Sequence, residues 1–204
     1  MLASIHPLGE RGRNQRWSAT VAAYLAGSVF GAGLVGGLAG LAGHLLGLSG
    51  RSGAGLTVVA GAALVLAGTG VVLDLRLGGL RVPTLHRQVD EQWLERYRGW
   101  VYGLSFGFQL GMGVVTVVNS FTVYLTIGLA VLSGSVAAGV LIGAVFGGVR
   151  GAVVLAGANV RHASQLYALH RRVNRWEPAS HRLAVGVQAV TAIGAAAALA
   201  LVRV

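Results

Sequence analysis

The sequence predicts an all-α, polytopic transmembrane helical bundle of about five spans, and three observations predict it. Of 204 residues, 54% are hydrophobic and only 11% charged, and the mean hydropathy is +0.70, far from the balance of a soluble domain. Several apolar runs reach or exceed the roughly 20 residues needed to cross about 30 Å of hydrocarbon. Almost all the charged residues fall in the gaps between those runs, and no separate soluble domain fits among them. The whole chain, 1–204, therefore reads as one transmembrane domain.

The first span covers about 18–48. Arg11, Arg13 and Arg16 precede it like the basic region of a secretory signal, but the run is long and lacks a cleavage site, so it reads as a retained span. The second span, about 54–75, follows the turn "SGRSG" (Ser49–Gly53). A charged segment leads to the third, about 100–132; the short "SGS" (Ser133–Ser135) leads to the fourth, about 136–160; a second charged segment leads to the fifth, about 183–203. The first and third runs exceed a straight crossing, so each is tilted, kinked or broken into half-helices.

The net charge of +10 arises from 16 basic and 6 acidic residues, and every basic residue is Arg. A nucleic-acid footprint would gather Arg on one soluble face. Here the Arg residues lie in loops, which points to membrane topology and to no nucleic-acid partner. Three precede the first span, five lie between Arg76 and Arg98 and five between Arg161 and Arg182, against Arg51 and Arg203 on the alternate side. Positive residues are retained inside, so this distribution predicts a bacterial cytoplasmic membrane protein with its N-terminus inside.

The two charged segments share a phrase. "LHRQVDEQW" (Leu85–Trp93) and "LHRRVNRW" (Leu169–Trp176) place apolar residues at helical spacing. Leu85 and Trp93, and Leu169 and Trp176, share one face, while His86, Arg87, His170 and Arg171 belong to the polar remainder. This pattern predicts two short amphipathic helices lying in the cytoplasmic headgroup region, the second ending near Pro178. A shift of 80 residues also aligns His6 with His86, Glu10 with Asp90, Arg16 with Arg96, and Gly27, Gly31 and Gly33 with Gly107, Gly111 and Gly113. These matches raise an internal repeat in the same orientation, one way transporter folds are built.

Glycines follow four-residue spacing in "GSVFGAGLVGG" (Gly27–Gly37) and "GLSFGFQLGMG" (Gly103–Gly113). Gly27, Gly31, Gly103, Gly107 and Gly111 are the expected helix-packing positions, because small residues let backbones approach where no hydrophobic effect drives association. Polar residues inside the spans form the candidate solute path or gate: Asp74, Gln109, Asn119, Ser120 and Arg150. An ionised Arg150 within a span needs a partner or water, and Asp74 is the acidic residue at a span's edge, so an Asp74–Arg150 pair is expected. The alternative is Arg150 reaching the headgroups from the end of a shorter fourth span. Asn119 and Ser120 lie in mid-run, where they mark a helix break or make interhelical hydrogen bonds.

Cysteine is absent, which excludes disulfides, thiol chemistry and Cys-ligated metals in this chain. The six histidines form no ligand-spaced cluster, and no Ser-His-Asp set or paired carboxylate lies in a span. No metal, cofactor or enzymatic activity is expected.

The run from Arg98 to Gly151 has a basic entry, glycines along a long span, a central break, a threonine-rich half, a small-residue turn and a Gly-rich span. In that layout it resembles the CcdA/DsbD-type thiol–disulfide carriers of bacterial membranes, over about residues 18–160. The family carries electrons on a cysteine beside a proline in its broken helix, whereas "GVVTVVNS" (Gly113–Ser120) has neither, so electron transfer is excluded here. The resemblance implies a small bundle with a central, water-accessible break, and it extends to small-solute exporters.

Two functions remain open. One is a permease-like carrier of a small solute, in which Asp74, Gln109, Asn119 and Arg150 converge on one cavity. The other is a non-catalytic membrane subunit that packs on partner helices and docks a cytoplasmic partner or anionic lipid. The bilayer, and a homo-oligomer or partner membrane protein, are the expected partners.

Overall fold

The computed structural model describes residues 5–49, 53–79, 82, 97–113 and 120–202. Among them are seven α-helices and no strand: α1 (Pro7–Gly12), α2 (Trp17–Leu45), α3 (Gly53–Asp74), α4 (Gly99–Gly111), α5 (Thr122–Leu132), α6 (Val136–Ala152) and α7 (Ala163–Val202). Short 3₁₀ turns, Leu77–Gly79 and Val153–Gly157, follow α3 and α6. Helices are what an apolar chain must form in lipid, because each backbone N–H and C=O is satisfied within its own segment. By length and composition α2, α3, α6 with its 3₁₀ extension, and α7 can each cross a membrane. Phe30, Val65, Val149 and Ile193 stand exposed on these helices, an outer surface suited to acyl chains and too apolar for water.

The third apolar run is not one long helix. Its first part, α4, ends at Gly111, and α5 begins at Thr122. Just past the end of α4, Gly113 carries φ +74°, a left-handed backbone that glycine adopts without a Cβ penalty. The end of α4 lies against the middle of α2: Gly111 abuts Ser28, and a small, mainly apolar space touches Ala32, Gly36, Met112 and Val123.

Helix α2 is the centre of the bundle, flanked by α4 on one side and α6 on the other. Against α4, Gly27 and Gly31 meet the backbone at Leu104 and Phe108, while Gly103, Gly107 and Gly111 meet Thr20, Tyr24 and Ser28. The two helices run parallel. Contacts offset by 83 residues (Gly103 on Thr20) and by 77 (Gly27 on Leu104) straddle a shift of 80, so that shift maps the interface nearly onto itself. Against α6 the pairing is antiparallel: Gly36 meets Gly139, Gly40 meets Ser135, Gly143 meets Ala32 and Gly147 meets Ser28. Ser28 Oγ donates to Gly147 O at 2.7 Å, which ties the two backbones together. At the turn between α5 and α6, Gly134 (φ +56°) presses on the backbone of Leu48 and Ser49, an approach no larger residue permits. Helices α3 and α7 pack on each other and reach the rest of the bundle mainly through α5.

The structure corrects the expectation for the second charged phrase. Residues Leu169 to Trp176 do not form a separate short helix bounded by Pro178; they belong to the first half of α7, which runs through Pro178 to Val202. A proline removes one N–H donor and strains one turn, but that is a single rung in a helix of 40 residues. Gln165 fixes the start of the helix, accepting from the N–H groups of Arg161 (2.7 Å) and His162 (3.3 Å). The other copy, with Leu85, His86, Arg87 and Trp93, lies outside the described residues.

Candidate functional site

Asp74 closes α3 and is only 4% exposed. A carboxylate in such surroundings needs donors, and two segments, the entry to α5 and the middle of α7, supply three. Phe121 N–H donates to Oδ1 at 2.9 Å, while Ser120 Oγ and Gln188 Nε2 each donate to Oδ2 at 2.7 Å. With its proton committed to Asp74, Ser120 Oγ accepts from Thr122 N (3.2 Å) and from the Thr122 hydroxyl (2.8 Å). Gln188 Nε2 also lies 3.3 Å from Thr122 Oγ1. Asp74 therefore caps the first turn of α5, where the positive end of the helix dipole favours an anion, and joins α3, α5 and α7. His181 adds a second α3–α7 tie by donating Nε2–H to the Asp74 carbonyl at 2.9 Å. Gly70 makes room for the clamp, since a Cβ there would stand 2.7 Å from the Phe121 ring and 3.1 Å from Gln188.

This geometry replaces the expected Asp74–Arg150 pair. The contacts of the carboxylate are the three donors just named, and they occupy most of its acceptor capacity. Arg150 lies on the other side of the interruption. Its Nη1 comes near Gly113, its guanidinium stands 5.9 Å from the Phe146 ring centre, and Tyr24 is within electrostatic reach. The interruption between α4 and α5 is thus flanked by Arg150 at the Gly113 end and Asp74 at the Ser120 end. Gln109 sits half-buried on α4, and Asn119 is outside the described residues. Asp74 and Ser120 line an open cleft of about 730 Å³, which neither Gln109 nor Arg150 reaches.

A second buried carboxylate was not singled out from the sequence. Glu10 on α1 is fully buried and accepts from Thr20 Oγ1 (2.7 Å), the Tyr102 hydroxyl and Arg13 Nη2 (2.6 Å). Burial on its own would lower the pKa of the Arg13 guanidinium, but the hydrogen bond to Glu10, together with the electrostatic pull of Tyr102 and Glu10, outweighs it and raises it. Gln15 accepts from Gly99 N–H at 3.0 Å, so α1 and the linker behind it are fastened to the first turns of α2 and α4. Glu10→Ala is expected to release α1. Tryptic cleavage at Arg11 or Arg13 in the folded protein should accelerate about 10-fold or more, the scale of one lost buried hydrogen-bonded charge; an unchanged rate would show that α1 is held otherwise.

Among the described residues no three of His, Asp and Glu gather as metal ligands. Gln188 was missed from the sequence, although a lone amide within "AVGVQAVTAIG" is the same kind of signal, a polar residue in an apolar run, that marked Asp74. Glu10 carried no such signal, because it precedes the first span and reads as an ordinary loop residue.

No protein-family model matches the chain, and no solved structure matches it. Three curated proteins are similar. The methylamine utilization protein MauF of Methylophilus methylotrophus is 34% identical over 153 residues, 71% of this chain and 50% of that protein. MauF of Paracoccus versutus is 34% identical over 153 residues and MauF of Paracoccus denitrificans 34% over 151, covering 53% and 52% of those proteins. The chain spans about half the length of the curated relatives it matches. Over the matched part, this chain is similar to MauF, a membrane protein related to the CcdA/DsbD-type family.

Proposed function

We propose that this chain is a non-catalytic membrane subunit that serves methylamine utilisation, as the name of its MauF relatives suggests, by presenting the first half of α7 to a partner protein. The observation that carries the reading is the length of α7. At about 1.5 Å per residue its 40 residues extend about 60 Å, twice the hydrocarbon thickness. The apolar part from Leu183 to Val202 accounts for one crossing. The part before it, Ala163 to Arg182, stands beyond the membrane with Tyr167, Arg171, Arg172, Arg175 and Trp176 exposed. Aromatic and Arg side chains on one projecting helix suit the acidic face of a partner protein. The close glycine packing around α2 supports the same reading, because it makes the bundle a rigid base. Counting α4 and α5 as one interrupted crossing gives five crossings, and the Arg distribution puts the N-terminus and this arm on the cytoplasmic side of a bacterial inner membrane.

One observation favours the permease reading instead: Ser120, just before α5, lines an open cleft that reaches the buried Asp74. A strain lacking the gene, complemented with variants and grown on methylamine, separates the two. Under the docking reading, Arg171→Glu/Arg172→Glu/Arg175→Glu leaves a folded, membrane-inserted protein that fails to support growth. Wild-type proteoliposomes then take up no labelled methylammonium. Uptake by wild-type protein that Asp74→Asn stops, with growth retained by the triple Arg variant, would replace docking by transport.

A further inference from the structure

Helix α7 is the least covered of the four long apolar helices. In its most apolar stretch 6% of the residues are buried, against 50% in α2, 28% in α6 and 22% in α3. Its outer face carries a groove of about 460 Å³ lined by Arg182, Leu183, Gly186, Val187, Val190 and Thr191. Nothing stands within 4 Å of where a Cβ would be at Gly186, nor at Gly194 about two turns further on. Every glycine of α2, α4 and α6, by contrast, has a neighbour within 4 Å of that position, and in most cases it is backbone of another segment.

The open positions on α7 repeat a set that is filled elsewhere in the chain. A shift of 83 residues carries Gly103, Gly107 and Gly111 of α4 onto Gly186, Val190 and Gly194, and each set lies downstream of one copy of the LHR phrase. In α4 these three positions meet Thr20, Tyr24 and Ser28 of α2. Since α2 and α4 are themselves related by the shift of 80, that contact joins two helices of one repeated pattern, parallel and nearly self-matching. On α7 the same three positions are exposed, with no helix among the described residues against them. Gly61 and Gly68 of α3 are open as well, but their separation does not reproduce the set.

We propose that this face of α7 binds the same face of a second copy of the chain, as a parallel α7–α7 pair about a twofold axis along the membrane normal. Copies inserted with one topology present α7 in one direction, so a parallel pair is the arrangement open to them, and the α2–α4 contact shows that the pattern packs in parallel. Leu183, Gly186, Val187 and Val190 follow the spacing i, i+3, i+4, i+7, the four-residue hole that receives one side chain from a facing helix. Val190 of the second copy is the side chain for that hole. Where α4 has Gly107, α7 has Val190, so the pair meets through side chains at its centre and through bare backbone at Gly186 and Gly194. A twofold contact uses one patch twice, and α7 needs no second surface. The pairing stands apart from the docking reading and would set two arms on one side of the membrane.

The chain contains no cysteine, so a single-cysteine variant reports on one position alone. Full-length Val190→Cys is reconstituted in phosphatidylcholine liposomes at a high lipid-to-protein ratio and oxidised with copper phenanthroline. The expected product is mainly disulfide-linked dimer. Val65→Cys on α3, where the valine is 69% exposed against 70% for Val190, should remain monomeric. Adding Gly186→Leu/Gly194→Leu to Val190→Cys should cut the dimer about 10-fold, the scale of forcing bulk into a close contact. Gly68→Leu, at a position equally open, should leave it unchanged. Arg171→Glu/Arg172→Glu/Arg175→Glu should also leave it unchanged, so pairing and docking fail separately. A dimer yield from Val190→Cys no higher than from Val65→Cys would overturn the proposal, and so would crosslinking that survives Gly186→Leu/Gly194→Leu.

Discussion

Gly107→Val is expected to abolish the folded bundle. A Cβ at Gly107 would press into the Tyr24 carbonyl and come within 3.0 Å of Ser28 N, both backbone atoms of α2 that no rotamer change can move aside. Relief requires α4 to shift away from α2, which would open the contacts at Gly103 and Gly111 as well. Overpacking a well-packed interior costs about 1–3 kcal/mol where side chains can give way; here backbone must move, so a loss of at least about 3 kcal/mol is expected. Thermal unfolding in detergent, followed by tryptophan fluorescence, measures it. Gly61→Ala is the control. Nothing stands within 4 Å of that Cβ position, and the helix gains about 0.5–1 kcal/mol from losing a glycine. Equal melting temperatures for Gly107→Val and wild type would refute the packing at the centre of the bundle.

The second large effect is expected at Asp74. Asp74→Ala leaves Phe121 N–H, Ser120 Oγ and Gln188 Nε2 without their common acceptor in a buried place. Each buried donor left without an acceptor costs about 1–3 kcal/mol, so a loss of at least about 3 kcal/mol is expected. Asp74→Asn keeps the shape but turns an amide NH₂ toward donors, and about 2–3 kcal/mol should be lost. A double-mutant cycle tests the partnership. Asp74→Ala with Gln188→Ala should show coupling of about 0.5–3 kcal/mol, whereas Asp74→Ala with Arg150→Ala should be additive within about 0.5 kcal/mol. Strong coupling to Arg150 and none to Gln188 would restore the ion pair that the structure argues against.

These two sites show why some features could be read from the sequence and others could not. Spans are visible because hydropathy is a property of a window of neighbouring residues, and lipid leaves such a window little choice but helix. The glycine faces were visible because four-residue spacing puts them on one side of whatever helix forms. The interruption was foreshadowed by a third run too long for one crossing and by Ser120 within it. The Asp74–Arg150 pairing failed because opposite charge in a span invites a pair, yet a hydroxyl, an amide and a backbone N–H satisfy a carboxylate equally well. The boundary at Pro178 failed because proline disturbs only the turn before it, and the ladder of α7 continues on both sides.

The sequence by itself determined that the chain is a helical membrane protein and which glycines face close-packed neighbours in kind. Both depend on local composition and on the periodicity of a single helix. That the third run breaks while the first stays one helix was left to the tertiary structure. Only the tertiary structure decided that α2 lies between α4 and α6, that Asp74 belongs to Ser120 and Gln188, and that Glu10 fastens α1 to Thr20 and Tyr102. Gln188 is 114 residues from Asp74 and Tyr102 is 92 from Glu10, and nothing in a local window records which distant donor a buried carboxylate will meet. That choice follows from which helix backbones can approach most closely, and glycine contacts spread over the whole bundle decide it.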